Sequence, residues 1–374
     1  MRYGIILLSL VFTLNLGACA KEDVSQTLVT DVDHSAVKRQ SIGNCWLYAQ
    51  ASWLESLYLT ANQEEIDVSE SYWTWWHWYD QIVGRDLDEI RTGGWWRTSA
   101  GIIIDHGFVL EGDFIPEEAG TEMSLRQAQA EEYINEQLAE GGALANRQDR
   151  TAENVRAQLD LAFGAQMAAA EELARSPEEV LVAKGTAGET TTLQAALAGN
   201  TEDRWESTSF PRIYGKNAVP SQWQIERRQA LMQRVLKALN DHQPVVMTFM
   251  VDFNGLDITD QTFKASTLRE NGKGSQGGHM VVLEDYVVDN VPGYGYIGEG
   301  DVSDEMKEAA LQGDIVLLKA KNSWGTNRPD RGLTDGYNRF DWEYLTGQFE
   351  WDSGFGDTSY YYTTLTDFVL PPGY

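Results

Sequence analysis

Cys19 and Cys45 are the two cysteines of this 374-residue sequence. Cys19 closes an apolar leader, so Cys45 is the one thiol expected in the folded body. A thiol attacks as the thiolate, which at neutral pH needs a cationic neighbour or the positive end of a helix. Asn44 reads as a helix N-cap, which puts Cys45 in the first turn of the helix that follows. The cation must come from one of five histidines. His34 lies in a polar stretch, His77 in an aromatic helix, His106 between Asp105 and Gly107 at a helix end, and His242 at a helix-to-strand turn. His279 alone opens an apolar strand, directly after Gly277-Gly278, where the backbone can approach another element closely and the ring can project from a strand end. A lone histidine is structural more often than catalytic, so its pairing with Cys45 depends on context. Such a pair could carry out nucleophilic acyl chemistry.

Three short segments supply that context. Gly43-Asn44-Cys45-Trp46-Leu47-Tyr48-Ala49 resembles the nucleophile segment of papain-like cysteine peptidases. Gly278-His279-Met280-Val281-Val282 resembles their His segment, and Lys321-Asn322-Ser323-Trp324-Gly325 their Asn-Ser-Trp-Gly segment, in the family's order. Weaker matches are Val68-Ser69-Glu70 for Leu-Ser-Glu, Gly93-Gly94 with Trp96, Ser99 and Ala100 for the Gly-Gly strand of the substrate cleft, and Gly336-Tyr337. His242-Gln243-Pro244-Val245 fits the turn that enters the family's β lobe. The resemblance covers about 37–120 and 225–350 and says nothing about 121–220.

The resemblance implies an α+β, two-lobed papain-like fold, with a helical N-terminal lobe and a β-barrel-like C-terminal lobe. It implies a peptidase in which Cys45 is the nucleophile, His279 the base and Asn322 the group that orients the imidazole. Gly93, Gly94 and Trp324 would bind substrate, and Trp324 would also shield the His–Asn contact. Gln40 would supply an oxyanion donor, but it lies five residues before Cys45 where the family spacing is six, and Arg39 takes that place in an ungapped reading. Ile42 stands where many secreted relatives have a disulfide cysteine, which is nearer the disulfide-free branch that includes bleomycin hydrolase and bacterial relatives. The intervals from Cys45 to His279 and Asn322, 234 and 277 residues, exceed the family's usual spacing of about 130–150. An insertion at 121–220 accounts for most of the excess, and a loop with a short helix at Val287–Leu311 for the rest.

The elements that must position these residues are readable from periodicity. Trp46, Ala49, Trp53 and Leu57 recur at helical spacing after Asn44. A second helix follows Ser69, carrying an aromatic run from Tyr72 to Tyr79 that reads as packing rather than a binding surface. Thr98–Ile104 is a further short helix. In the helical insertion, Val155, Leu159, Phe163, Met167, Ala170 and Leu173 form one stripe, Ser176-Pro177-Glu178-Glu179 reads as a helix start, and 184–204 as loop. A helix from Gln224 to Asn240 precedes strands at Val245–Val251, Met280–Leu283 and Ile315–Ala320. The domains expected are a signal peptide at 1–18, a tether at 19–36, a helical lobe at 37–120, the insertion at 121–220 and a β lobe at 221–374. The insertion, entering between the two lobes, either limits access to the cleft or is a remote packing decoration.

Composition limits the partners. With 42% hydrophobic residues and 13 Trp the chain can bury a large core, and its net charge of −28 disfavours nucleic acid and anionic membrane surfaces. Arg2 followed by the apolar stretch Gly4–Leu16 reads as an export signal, too short to span a bilayer. Leu16-Gly17-Ala18-Cys19 resembles the bacterial lipobox, which implies lipidation at Cys19 and, without Asp after it, an outer-membrane or cell-surface lipoprotein. Cleavage after Ala20 would instead leave a secreted or periplasmic protein. Membrane contact is expected through the lipid anchor only. No zinc-site spacing, dinucleotide fingerprint or P-loop occurs, so no metal and no cofactor are expected. The expected partner is a peptide or protein substrate. A silent binding lipoprotein, or an amidase or acyltransferase acting on cell-envelope peptides, are the alternatives.

Overall fold

The computed structural model describes residues 32–185, 188–300, 302–328, 333–352 and 359–374. The expected leader, Cys19 and most of the tether lie outside the described residues. Helix α1 (Cys45–Asn62) buries Trp46, Ala49, Trp53 and Leu57, the stripe its spacing predicts. Helix α2 (Glu70–Ile82) starts at Ser69, whose Oγ accepts a hydrogen bond from Tyr72 N at 3.2 Å. Trp73, Trp75 and Trp78 of its aromatic run are fully buried. Ser69→Ala removes a partner for an otherwise orphaned N–H and is expected to cost about 1 kcal/mol, measured by denaturant unfolding. Helices α3 (Trp96–His106) and α4 (Glu111–Phe114) complete this stretch.

The segment 121–220 holds α5 (Leu125–Leu138), α6 (Ala152–Phe163), α7 (Met167–Leu173), β1 (Leu181–Ala183), β2 (Thr190–Thr192), α8 (Leu193–Ala198) and β3 (Glu206–Ser209). Three expectations are corrected here. The stripe from Val155 to Leu173 is two helices, because Gly164 is left-handed and ends α6. Leu173 is exposed. Ser176–Glu179 is one turn, not a helix start, because the chain then enters β1 and pairs with β2. The stretch 184–204, read as loop, contains β2 and α8. Ile134, Leu159, Phe163, Leu197 and Trp205 of this segment join the same hydrophobic cluster as α1 to α3.

Helix α9 (Gln222–Asn240) opens with a capping box between Ser221 and Gln224. After it come β4 (Val245–Asp252), β5 (Leu256–Asp257), β6 (Thr262–Phe263), α10 (Ala265–Asn271), β7 (Gln276–Val291), β8 (Gly295–Ile297), α11 (Asp304–Ala310), β9 (Asp314–Lys321), β10 (Tyr337–Asp341), α12 (Trp342–Thr346), β11 (Gln348–Asp352), β12 (Ser359–Thr363) and β13 (Leu365–Leu370). The apolar run Met280–Leu283 is therefore the early part of a 16-residue strand. Of the loop and short helix expected over Val287–Leu311, the loop part is the end of β7 and a β7–β8 hairpin, and the short helix is α11.

The main sheet runs in the order β3-β13-β4-β7-β9-β10-β6-β5, with β8 on β7. Its centre is antiparallel, and the alternation of side chains along β7 sorts residues between two cores. Met280 and Val282 join the helical cluster, whereas Val281 and Leu283 join a second cluster with Phe249, Trp324 and Phe340. The fold is thus α+β, a helical N-terminal part packed on a β-rich C-terminal part, each with its own core. Helix α1 packs directly against β7. This contact brings the ends bearing Cys45 and His279 together.

Candidate active site

Cys45 is the first residue of α1 and is 8% exposed. Asn44 occupies the N-cap position, but its side chain makes no cap. Its Nδ2 instead donates to Thr74 Oγ1 (3.1 Å) and Gln127 Oε1 (2.8 Å), so the residue before the thiol is clamped by α2 and α5. Burial pushes the Cys45 thiol up to about 11. The backbone N–H groups of Met280, Trp46 and Cys45 itself favour the thiolate and offset part of that rise. Met280 follows His279, so this contact ties the sulfur to the start of β7.

His279 is buried near the start of β7, opposite Phe249 of β4. Its Nε2 lies 2.8 Å from Asn322 Oδ1. The same Oδ1 accepts from the backbone N–H of Ser323 at 2.7 Å, and Asn322 Nδ2 donates to Asn338 Oδ1 at 2.8 Å. A backbone N–H can only donate, so the atom facing the ring is the amide oxygen. Nε2 then carries the hydrogen, which leaves Nδ1 as the basic nitrogen of the neutral ring. Continuing the antiparallel register Val282↔Lys321 brings Trp324 opposite His279. The indole stacks on the imidazole, with centroids 4.7 Å apart and planes at 23°. Phe249 meets the ring edge-on at 5.7 Å.

Cys45 and His279 line one cleft of about 620 Å³ together with Gly43, Gly93, Gly94 and Gly278. Trp46 Nε1 donates to Thr92 O at 2.9 Å, which fixes the Gly93-Gly94 segment, not a strand, on α1. A Cβ on Gly94 would lie 2.5 Å from the Trp46 ring, so only glycine allows this approach. Gly277 and Gly278 serve differently from expectation. A Cβ at either would meet nothing within 4 Å, so they leave the approach to His279 open rather than permitting close backbone packing.

Gln40 and Trp324 do not line the cleft. Gln40 Nε2 donates to Ile42 O at 2.7 Å and its Oε1 accepts from Ser323 Oγ at 2.6 Å, so the amide braces the Asn322 segment. Arg39, the alternative, forms backbone bridges to Trp324 and Met123. Asn338, fully buried and holding Asn322, is not marked by the sequence beyond its place after Gly336-Tyr337. Glu131 and Asn135 of α5, which also line the cleft, carry no sequence signal.

A buried charge cluster lies behind Asn322. Lys38 Nζ is 2.6 Å from Asp67, 3.1 Å from Glu70 and 3.7 Å from Glu55, and Lys321 donates to Ser35 Oγ at 2.8 Å. Burial raises the Glu70 carboxyl to about 8, although Lys38 pulls it down. The folded state then keeps a proton that the unfolded chain releases above about 4.5. Glu70 thus contributes stability that is complete below that pH and is lost as pH rises toward 8. The contribution of Glu70 to unfolding free energy is expected to be larger at pH 5 than at pH 8, which gives stability a downward slope with rising pH across that range. Glu70→Gln should flatten that slope in urea titrations.

No group of three or more His, Cys, Asp or Glu among the described residues is arranged to hold a metal ion, and no described helix is long and apolar enough to cross a membrane. No protein-family model and no curated protein matches the chain. Among solved structures, xylellain, a cysteine protease from Xylella fastidiosa, is 13% identical with a TM-score of 0.38, covering 92% of this chain and 85% of that one. The clostridial cysteine protease Cwp84 is 12% identical, with a TM-score of 0.37, over 91% of this chain and 54% of that chain. This chain therefore spans about half of the Cwp84 structure. The bromelain protease from Ananas comosus is 15% identical with a TM-score of 0.36, over 90% and 94%. At such values the chemistry of the site rests on its own distances.

Proposed function

We propose that this chain is a papain-type cysteine peptidase acting through Cys45, His279 and Asn322. The observation that carries the reading is the 2.8 Å contact of His279 Nε2 with Asn322 Oδ1, in a cleft that Cys45 also lines. The Cys45 proton passes to Nδ1 of His279, and the thiolate attacks a peptide carbonyl. The imidazolium then protonates the leaving amine, which departs as a thioester forms on Cys45. Water, losing a proton to Nδ1, hydrolyses that thioester and restores the thiol. Asn322 holds the ring in the tautomer this sequence needs, and Trp324 covers the contact.

The backbone N–H of Cys45, at the start of α1, is the first oxyanion donor in this reading. Gln40 joins it only by turning its amide away from Ile42 O. The substrate is a peptide or protein, and the expected location is the outer membrane or cell surface, through a lipid on Cys19. The insertion contributes Glu131 and Asn135 to the cleft wall, which favours a role in access over remote decoration. A peptide library digested with the full chain tests the function, with Cys45→Ala as control and an added amine acceptor to separate transfer from hydrolysis. New termini only with the intact thiol support the reading. Stoichiometric labelling of Cys45 without any cleavage or transfer would favour a silent binding protein.

A further inference from the structure

The cleft that Cys45 and His279 line also carries two carboxylates from different parts of the chain. Glu89 lies between α2 and α3, and Glu131 sits on α5; both line the cleft with Cys45 and His279. Asn135, one turn along α5 from Glu131, accepts a hydrogen bond from Ile90 N at 3.0 Å through its Oδ1. That bond fastens the residue after Glu89 to the helix that bears Glu131. Burial, and then the charge of Glu89, push the Glu131 carboxyl up. Many carboxylates of this protein have cationic partners, as Glu171 has Arg156 and Asp203 has Lys184. Glu89 and Glu131 have neither an ion pair nor a side-chain hydrogen bond among the described residues. Arg91, which also lines the cleft, is within ion-pair distance of neither.

Two like charges lining one cleft, neither of them ion-paired, repel each other, and a guest cation relieves that repulsion. We propose that Glu89 and Glu131 select a basic residue, so that the substrate side chain lodged in this cleft beside the bond to be cut is Lys or Arg. This rests on the peptidase reading for the bond cut, but the charge preference of the cleft can be read without turnover. An acidic or bulky apolar side chain would leave the carboxylates uncompensated, which supplies discrimination against the wrong guest as well as attraction for the right one.

The test has two arms. In the first, fluorogenic peptides differing only at the residue beside the scissile bond are compared at low salt. Lys and Arg are expected to exceed Gln and Leu by about tenfold or more in kcat/KM, and the Glu89→Gln/Glu131→Gln double variant to lose that margin while still cleaving the neutral peptides. In the second, methanethiosulfonates bearing an ammonium, a sulfonate or a methyl group react with the full chain, and the rate at Cys45 is read by peptide mass spectrometry. The ammonium-to-sulfonate rate ratio is expected to fall about tenfold or more in the double variant, with the neutral reagent's rate unchanged. The variant comparison removes the contribution of the overall net charge. An unchanged ratio, or a Lys/Arg preference that survives in the double variant, would overturn the proposal. A ratio that falls in a protein that cleaves no peptide would uphold the charge selection and sink the peptidase reading.

Discussion

Cys45→Ala is expected to lower kcat on the best library peptide by about 10⁴-fold or more, with the folded state intact. The argument is that each step of the proposed reaction passes through the sulfur. The thioester cannot form without it, and what remains is whatever positioning and the α1 N-terminus do for attack by water. The substitution removes one buried atom from the edge of a core that otherwise rests on Trp46, Leu47 and Trp53, all essentially buried. Thermal unfolding should therefore move by no more than about 1 kcal/mol of stability. Steady-state kinetics with calorimetry on the same preparations checks both halves. Activity that persists at a per cent or more of wild type would show that another group carries the chemistry.

His279→Ala is expected to turn Cys45 from a thiol reactive at neutral pH into one reactive only in alkali. Burial raises the thiol to about 11, with partial compensation from the N–H groups of Met280, Trp46 and Cys45. A thiol is neutral when protonated, so a raised value means that the thiolate appears only as pH climbs through about 11. At pH 7 that leaves about one molecule in 10⁴ as thiolate. With His279 present, transfer of the proton to Nδ1 creates a thiolate and imidazolium pair that the isolated thiol cannot reach. Alkylation of Cys45 by iodoacetamide at pH 7 should consequently be slower by about 10³-fold in the variant and rise about tenfold per pH unit, whereas wild type should plateau near neutrality. A variant profile that matches wild type would remove His279 from its proposed role.

The candidate positions stand out in the sequence because they are marked by local features. The helix after Asn44 announces itself by apolar residues three and four apart, and α1 begins at Cys45. The strand after Gly277-Gly278 announces itself by a continuous apolar run, and β7 carries His279 there. The errors fall where local signals had a competitor. Ser176-Pro177-Glu178-Glu179 has the residues of a helix start, yet pairing of Val182 with Thr191 draws the chain into a strand. Asn44 is a good cap residue, yet Thr74 and Gln127 claim its side chain.

The sequence by itself determined which thiol, which imidazole and which amide were the candidates, and that a helical part precedes a β-rich one. Those properties follow from residue type and from periods of 3.6 and 2, which are written along a few consecutive positions. The tertiary structure alone decided which nitrogen of His279 is basic, where the Gln40 amide points, that Asn338 supports Asn322, and that Glu131 reaches the cleft. Each of these depends on atoms brought together from distant parts of the chain, Gln40 with Ser323 and Asn44 with Gln127 among them. Such contacts are fixed by how distant segments pack, α1 against β7 and α5 beside Asn44 among them, and no local pattern records them.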